Sequence, residues 1–212
     1  MIDLNTIRYD ALRSSSVTLP KDAQLVGDVL TFERRGKYYM YYDVGATSAK
    51  PNAYTKILAK AKKSIKIWDP YFMPSHCAKL FEKVCVDGIS IEILSAYRNE
   101  QGKSDMEEML NGILEVLKNN GIKKCSIKAN IHKKAKWHDR FLIIDQDEVT
   151  QEVYLVGASM DDQIETKKSH GICKIADTND AKLIINKYTN CRQTVPRDQN
   201  HTLSRNLPKI RS

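Results

Sequence analysis

The sequence predicts an α/β protein with a mixed, largely parallel central sheet and helices on both faces of that sheet. Two observations lead to this fold class. From residue 51 to residue 129, segments with the apolar spacing of a helix alternate with short apolar runs that suit buried strands. This alternation is typical of βαβ units and of a parallel sheet. After Ile131 the apolar runs follow one another without helices between them, so antiparallel strands are expected to complete the sheet.

Apolar spacing and turn residues place the individual elements. Pro51 suits the first position of a helix, and Gly88 and Gly121 follow the ends of the next two helical patterns. The predicted helices cover residues 51–61, 78–85, 104–119 and 181–188. The predicted strands cover residues 38–42, 64–68, 89–94, 125–129, 141–144, 153–156 and 171–175, with one or two short strands within 25–32.

The chain of 212 residues is expected to form a single domain over residues 1–191. Residues 1–36 are a poorly defined N-terminal extension of that domain, because their apolar pattern is weak. Residues 192–212 carry Arg, Lys and Pro with few apolar residues, which predicts a mobile basic tail. A chain of this length buries about 70% of its unfolded surface, so no disulfide or metal is needed for stability.

The composition favours partners with negative charge. Lys and Arg number 34 against 26 Asp and Glu, which gives a formal net charge of +8. This excess favours nucleic acid or an anionic membrane surface as the partner. The alternative is a basic surface that binds nothing, because net charge alone does not select a ligand.

The cysteines and the apolar runs bear on the compartment. Five cysteines without a C-x-x-C pair indicate free thiols in a reducing compartment, and none has the spacing of zinc ligands. The chain starts without the basic and apolar segments of a signal peptide. No apolar run approaches the roughly 20 residues that span a bilayer. A cytoplasmic location is therefore expected.

The stretch from Trp137 to Asp145 places a histidine, an arginine and an aspartate around one short apolar run. Side chains alternate along a strand, so His138 and Arg140 are expected on one face and Trp137 on the opposite, core-facing one. An imidazole can attack phosphorus or transfer a proton, and a guanidinium can bind two phosphate oxygens at once. Asp145 can orient the imidazole or balance the charge of Arg140. The stretch therefore predicts a site for a phosphate ester.

Further candidate phosphate ligands flank this stretch. Ser159 follows Gly157 in a Gly-x-Ser turn after the next strand, where a hydroxyl and backbone N–H groups can reach a phosphate oxygen. His132 is either a phosphate contact or a structural residue. Three lysines that precede His138 can contact the phosphates of DNA or RNA, namely Lys133, Lys134 and Lys136.

These residues resemble the signature of the phospholipase D-like superfamily. That signature is His-x-Lys, four residues, Asp, and a Gly-Ser element after the following strand. Here His138-Asp139-Arg140 is followed by four residues, Asp145, and then Gly157-Ala158-Ser159. The match resembles a His-x-Arg variant found in small bacterial members of the superfamily.

The resemblance extends over residues 38–190 and implies a phospholipase D-like fold. Segment 67–72 is similar to the strand whose end lies beside the active site in that fold, which makes Tyr71 a candidate substrate contact. The resemblance also implies a phosphodiesterase or nuclease that needs no metal and no cofactor. His138 would be the nucleophile or the acid, Arg140 would replace the lysine as phosphate anchor, and Asp145 and Ser159 would support the site.

The number of motif copies bears on assembly. The mechanism implied by the resemblance uses two histidines, one that forms a phosphohistidine and one that protonates the leaving oxygen. Only one copy of the motif is present here, so the resemblance implies a homodimer in which two His138 side chains face each other across a two-fold axis. The alternative is an inactive module that keeps the fold and binds nucleic acid or anionic phospholipid headgroups.

Overall fold

The computed structural model describes residues 24–26, 29–34, 37–42, 49–72, 75–96, 102–132, 137–157, 170–175, 177–193 and 200–207. Its helices are α1 (Ala49–Leu58), a 3₁₀ helix (Ser75–Phe81), α2 (Gly102–Asn119) and α3 (Thr178–Gln193). Its strands are β1 (Gln24–Val26), β2 (Val29–Arg34), β3 (Lys37–Tyr42), β4 (Ser64–Trp68), β5 (Ile89–Ala96), β6 (Cys125–His132), β7 (Phe141–Ile144), β8 (Glu152–Val156), β9 (His170–Lys174) and β10 (Asn200–Asn206).

The ten strands of the described residues form one sheet in the order β1-β2-β3-β9-β8-β7-β4-β5-β6-β10. β4, β5 and β6 lie side by side and are parallel, whereas the other pairings are antiparallel. β7 pairs with β4 on the side away from β5, with Phe141 opposite Trp68. The sheet is therefore mixed, as the sequence predicts, and its parallel strands are β4, β5 and β6.

The main hydrophobic core lies between one face of this sheet and the group formed by α1, the 3₁₀ helix and α2. Side chains alternate along the strands, so Ile65 and Ile67 of β4 and Leu142 of β7 reach this core. α2 contributes an apolar stripe, because residues three and four positions apart share one face of a helix. The fully buried residues of this stripe are Met106, Met109, Leu110, Ile113 and Leu117.

A second hydrophobic cluster covers the opposite face of the sheet. The strands contribute Trp68, Leu94 and Ile143, and α3 contributes Ile185 and Tyr188. The Trp68 ring meets the Tyr188 ring edge-on, with 5.9 Å between the ring centroids. Because α3 lies on the face opposite to α1 and α2, the predicted arrangement with helices on both faces is confirmed.

The C-terminal segment departs from the prediction of a mobile tail over residues 192–212. α3 continues to Gln193, and all 7 residues of β10 pair antiparallel with β6. Leu203 packs against the main core and Leu207 is buried in it. Arg205 donates a hydrogen bond from Nε to Oδ1 of Asn111 in α2 at 3.0 Å. The prediction is therefore wrong for residues 200–207, and the rest of the predicted tail beyond Gln193 lies outside the described residues.

Leu207→Ala is expected to lower the free energy of unfolding by about 2 kcal/mol, because the change leaves a cavity in the main core. Leu207 is 7% exposed, whereas Leu183 on α3 is 60% exposed. Leu183→Ala is thus a matched control, with an expected change within about 0.5 kcal/mol. Urea unfolding of both variants measures the difference. Equal stability of the two variants would contradict the docking of the C-terminal segment.

Three further sequence expectations concern the N-terminus, the cysteines and the membrane. β1 and β2 fall within the predicted N-terminal extension 1–36, of which residues 1–23, 27–28 and 35–36 lie outside the described part. The described structure has none of the five cysteines in a disulfide. Among the described helices, none has both the length and the apolar character needed to cross a bilayer.

Candidate functional site

One edge of the sheet gathers most of the candidate residues that the structure describes. The parallel strands β4 and β5 end at this edge, β7 begins there with Phe141 opposite Trp68, and β8 ends there with Leu155 opposite Phe141. In open α/β sheets, ligands bind in the crevice outside the carboxyl ends of the parallel strands. The segments that follow β4 and β8 and precede β7 therefore lie where a ligand is expected.

His138 and Arg140 lie in the segment that leads into β7. The sequence predicts both residues on a strand, but β7 begins only at Phe141. The strand pairing nevertheless reaches back to Arg140, whose carbonyl oxygen accepts a hydrogen bond from the Val156 N–H at 2.9 Å. Trp137 is 8% exposed and belongs to the second hydrophobic cluster, as expected of a core-facing residue. Trp137 thus anchors a segment whose next side chain, His138, is exposed.

The guanidinium of Arg140 is held by two side chains from the end of β4. Its Nε lies 3.6 Å from Oδ1 of Asp69, and the Arg140 side chain is 18% exposed while that of Asp69 is fully buried. The Arg140 Cζ lies 5.5 Å from the centre of the Tyr71 ring, a distance typical of a cation–π contact. Arg140 is therefore a partly exposed cation with a defined position at the carboxyl edge.

Asp69 is a member of this site that was not predicted from the sequence. Asp69 follows β4 directly, and its N–H donates to the Leu94 carbonyl of the neighbouring strand at 3.1 Å. Its Oδ1 accepts the Tyr71 N–H at 2.9 Å, which closes a tight side-chain turn at the strand end. The sequence signal that could have identified Asp69 is a carboxylate directly after a buried strand. The carboxyl ends of parallel strands meet at one sheet edge, where ligands bind.

Asp145 lies at the other end of β7 and is not brought to His138. Its side chain is fully buried, and Oδ1 accepts hydrogen bonds from the backbone N–H groups of residues 62–64 at 2.9, 2.7 and 3.0 Å. Oδ2 accepts the Thr150 hydroxyl at 2.8 Å. The expectation that Asp145 orients the imidazole or supports the site is therefore corrected, because its oxygens serve the turn before β4 instead.

The electrostatic state of Asp145 fits this structural role. Burial by itself raises the pKa of a carboxyl group, but the backbone N–H groups of Ser64, Lys63 and Lys62 and the Thr150 hydroxyl favour the charged form. Together they hold the pKa of Asp145 below its ordinary value. Asp145 is thus a buried, charged acceptor that holds the turn before β4 against the end of β7.

The remaining candidates fall into two groups. Gly157 is exposed and follows β8 at the carboxyl edge, next to the pairing between Val156 and Arg140. His132, at the end of β6, is buried and meets the Trp137 ring edge-on at 4.8 Å between centroids. Four predicted site residues lie outside the described part of the chain, namely Lys133, Lys134, Lys136 and Ser159.

Two groups suited to phosphate-ester chemistry, the His138 imidazole and the Arg140 guanidinium, lie in one segment at the carboxyl edge. The imidazole of His138 is open to solvent, and among the described residues Nε of Arg140 has no hydrogen-bond partner. A guanidinium presents donors in a planar fork that matches the oxygens of a phosphate group. Within the described ranges, no group of three His, Cys, Asp or Glu side chains is placed to hold a metal ion.

Comparisons with known proteins identify structural neighbours. No family model and no curated protein matches the sequence. Nuc from Salmonella typhimurium, a phospholipase D family member, has a TM-score of 0.49 and 18% identity, and the match covers 79% of this chain and 98% of Nuc. NucT from Helicobacter pylori has a TM-score of 0.48 and 18% identity, and the match covers 73% of this chain and 94% of NucT.

A third solved structure aligns with more of this chain. The phosphatidylserine synthase of Haemophilus influenzae Rd KW20 has a TM-score of 0.52 and 11% identity. The match covers 94% of this chain and 45% of the synthase chain, so the likeness concerns less than half of that protein. At this level of identity the match describes the fold alone. The structural neighbours of this chain thus include a phospholipase D family member, and its fold is similar to part of a phosphatidylserine synthase.

Proposed function

We propose that this chain is a phosphodiesterase of the phospholipase D-like superfamily that hydrolyses nucleic acid in a site shared by two copies of the chain. The observation that carries the proposal is an exposed His138 two residues before Arg140, a cation held at the carboxyl edge by the buried Asp69. A nucleophile next to a fixed guanidinium is what phosphoryl transfer requires. The net charge of +8 favours a polyanionic substrate.

The reaction runs in two displacement steps. A ring nitrogen of His138 attacks phosphorus, an N–P bond forms, and the bond from phosphorus to the leaving oxygen breaks. The leaving oxygen takes a proton from the imidazolium of His138 in the second copy. Water then attacks the phosphohistidine, gives its proton to that second imidazole, and releases the phosphate product and the first histidine. The chemistry is balanced without a metal ion, as the family resemblance implies.

Arg140 supports both steps as the phosphate anchor. Asp69 faces its Nε, so the terminal nitrogens of the guanidinium are the donors left for the nonbridging oxygens of a phosphate group. Negative charge builds up on these oxygens as the nucleophile attacks, and donors fixed in advance stabilise it. Gly157, Ser159, Tyr71 and the three lysines before His138 are proposed as further contacts to the substrate.

Trapping the covalent intermediate tests the proposal. Purified protein is incubated with bis(p-nitrophenyl) phosphate or labelled oligonucleotides in excess EDTA, and the reaction is stopped with alkali. We expect turnover to persist in EDTA, and an acid-labile, alkali-stable phosphoryl adduct on His138 in peptide mass spectra. A strict requirement for Mg²⁺, or an adduct on another residue, would contradict the mechanism.

The same experiment separates the enzyme from a binding module. A module that has lost the reaction is the second candidate, favoured by the Arg140 guanidinium, which suits phosphate binding without any proton transfer. Such a module retains oligonucleotides without cleaving them, and its affinity falls steeply with salt because each neutralised phosphate releases counterions. Flotation with anionic liposomes identifies phospholipid headgroups as the ligand instead.

A further inference from the structure

Asp69 uses one oxygen for two contacts at the candidate site. Its Oδ1 accepts the Tyr71 N–H at 2.9 Å and also lies 3.6 Å from Nε of Arg140. The hydrogen bond from Tyr71 shapes the turn after β4. The contact with Nε places the carboxylate against one edge of the Arg140 guanidinium. One carboxylate oxygen therefore joins the turn to the cation.

The turn that Asp69 closes also sets the position of the Tyr71 ring. Pro70 restricts the backbone between the two residues, and its carbonyl accepts the Ala96 N–H at 3.2 Å, which fastens the turn to the end of β5. The Phe72 N–H donates to the Asp69 carbonyl at 3.3 Å. These bonds hold Tyr71 where its ring centre is 5.5 Å from Cζ of Arg140.

Burial gives the Asp69 carboxylate its influence on Arg140. The Asp69 side chain is fully buried, and the effective dielectric constant around a buried charge is much lower than that of water. A buried carboxylate that loses a cationic partner is strongly unfavourable, so the guanidinium is held close to it. The Arg140 side chain is 18% exposed and so remains within reach of a ligand.

We infer that Asp69 is the positioning residue of the phosphate anchor: it fixes the Nε edge of Arg140 directly and the face of the guanidinium through Tyr71. The inference rests on the proposed function, because it assigns to Arg140 the binding of a phosphate group. Asp69 itself touches no substrate and acts through Arg140. The effect of Asp69 on phosphate binding is consequently expected only while the guanidinium is present.

A double-mutant cycle between Asp69→Asn and Arg140→Gln tests this dependence. The cycle measures the affinity for tungstate, a phosphate analogue, by calorimetry, and kcat and KM for bis(p-nitrophenyl) phosphate. Asp69→Asn alone is expected to weaken tungstate binding roughly 10- to 100-fold, the range for a lost charge-assisted contact. In the Arg140→Gln background, the same change is expected to have no effect beyond about twofold.

A control and a second cycle keep the result interpretable. Asp87 also accepts backbone N–H groups, from Lys123 at 2.9 Å and Lys124 at 2.6 Å, so Asp87→Asn reports on the loss of a capping carboxylate elsewhere. Its tungstate affinity is expected to equal that of the wild type. If Asp69→Asn does not fold in urea-unfolding tests, the cycle of Asp69→Ser with Arg140→Gln replaces it, because a serine hydroxyl can still accept the Tyr71 N–H. The effect of Asp69→Ser on tungstate affinity is again expected to vanish without the guanidinium.

The outcomes separate the inference from the proposed function. The inference is supported if the wild type binds tungstate and the effects of Asp69→Asn and Arg140→Gln on that affinity are not additive. If such a wild type fails to hydrolyse the diester, only the proposed reaction is overturned. Additive effects in a protein that hydrolyses the diester overturn the inference and leave the reaction standing. A wild type that neither binds tungstate nor turns over overturns both, because Arg140 is then no phosphate anchor.

Discussion

His138→Ala is expected to lower phosphodiester hydrolysis by at least roughly 10³-fold, because it removes the group that we propose forms the covalent intermediate. The His138 side chain is exposed, so the free energy of unfolding is expected to change by less than about 0.5 kcal/mol. Rates with bis(p-nitrophenyl) phosphate and urea unfolding curves on the same preparation check both statements. Asp139→Ala changes the neighbouring exposed residue and serves as the matched control, with turnover near that of the wild type.

The same variant tests whether the site is shared between two copies. When wild type and His138→Ala are unfolded together in equal amounts and refolded, about one quarter of random dimers carry two His138 side chains. If both histidines are needed, activity per total protein falls to about one quarter of the wild-type value. A site complete within one copy would retain half of it. The dependence of rate on the wild-type fraction, quadratic or linear, therefore decides the assembly of the active site.

The sequence predicts the central strands well because their signals are local. The bounds of β4 and β7 agree with the predicted residues 64–68 and 141–144, since each is a short apolar run that ends at an aspartate. β10 lacks such a signal, because its sequence Asn-His-Thr-Leu-Ser-Arg-Asn is mostly polar. Its place in the sheet depends on pairing with β6, a non-local contact that no window of sequence contains.

The candidate site is predictable only where its parts are neighbours in the chain. His138 and Arg140 are two residues apart, and a local motif identifies both. The partner of Arg140 is Asp69, and β5, α2 and β6 lie between the two residues in the chain. The pairing of β4 with β7 brings them together. For Asp145 the prediction errs in the opposite way. Asp145 is close to His138 in sequence, but the two residues lie at opposite ends of β7 and therefore at opposite edges of the sheet.

Asp145→Ala is expected to lower the free energy of unfolding by about 3 to 5 kcal/mol, the second large effect. The change leaves the backbone donors of residues 62–64 and the Thr150 hydroxyl unsatisfied in a buried region, and each such loss is unfavourable. Asp145 also has a positive φ of 49°, a conformation that Asp and Asn tolerate better than Ala. Urea unfolding at neutral pH measures the loss.

Asp145→Asn separates the charge of this residue from its shape. Asparagine tolerates the positive φ and keeps one side-chain oxygen, so a loss of only about 1 to 2 kcal/mol is expected at neutral pH. Because the fold lowers the pKa of Asp145, the stabilisation is complete above the ordinary carboxyl pKa of about 3.9 and is lost as the pH falls from there through the folded value. The stability difference between wild type and Asp145→Asn is thus expected to shrink below about pH 4. A constant difference down to lower pH would contradict a charged Asp145.

Turnover by the folded Asp145→Asn protein then decides between the two roles that sequence and structure give this residue. Turnover is measured without urea, at a temperature where the variant is fully folded. A structural role of Asp145 then predicts a lower free energy of unfolding without a matching fall in kcat. β7 separates the Asp145 carboxylate from the proposed substrate site, and each strand residue adds about 3.3 Å. Asp145 is therefore too far from the imidazole of His138 to contact it directly. A large fall in kcat in the folded variant would instead indicate a catalytic role for Asp145. Both ends of β7 would then have to lie at one site.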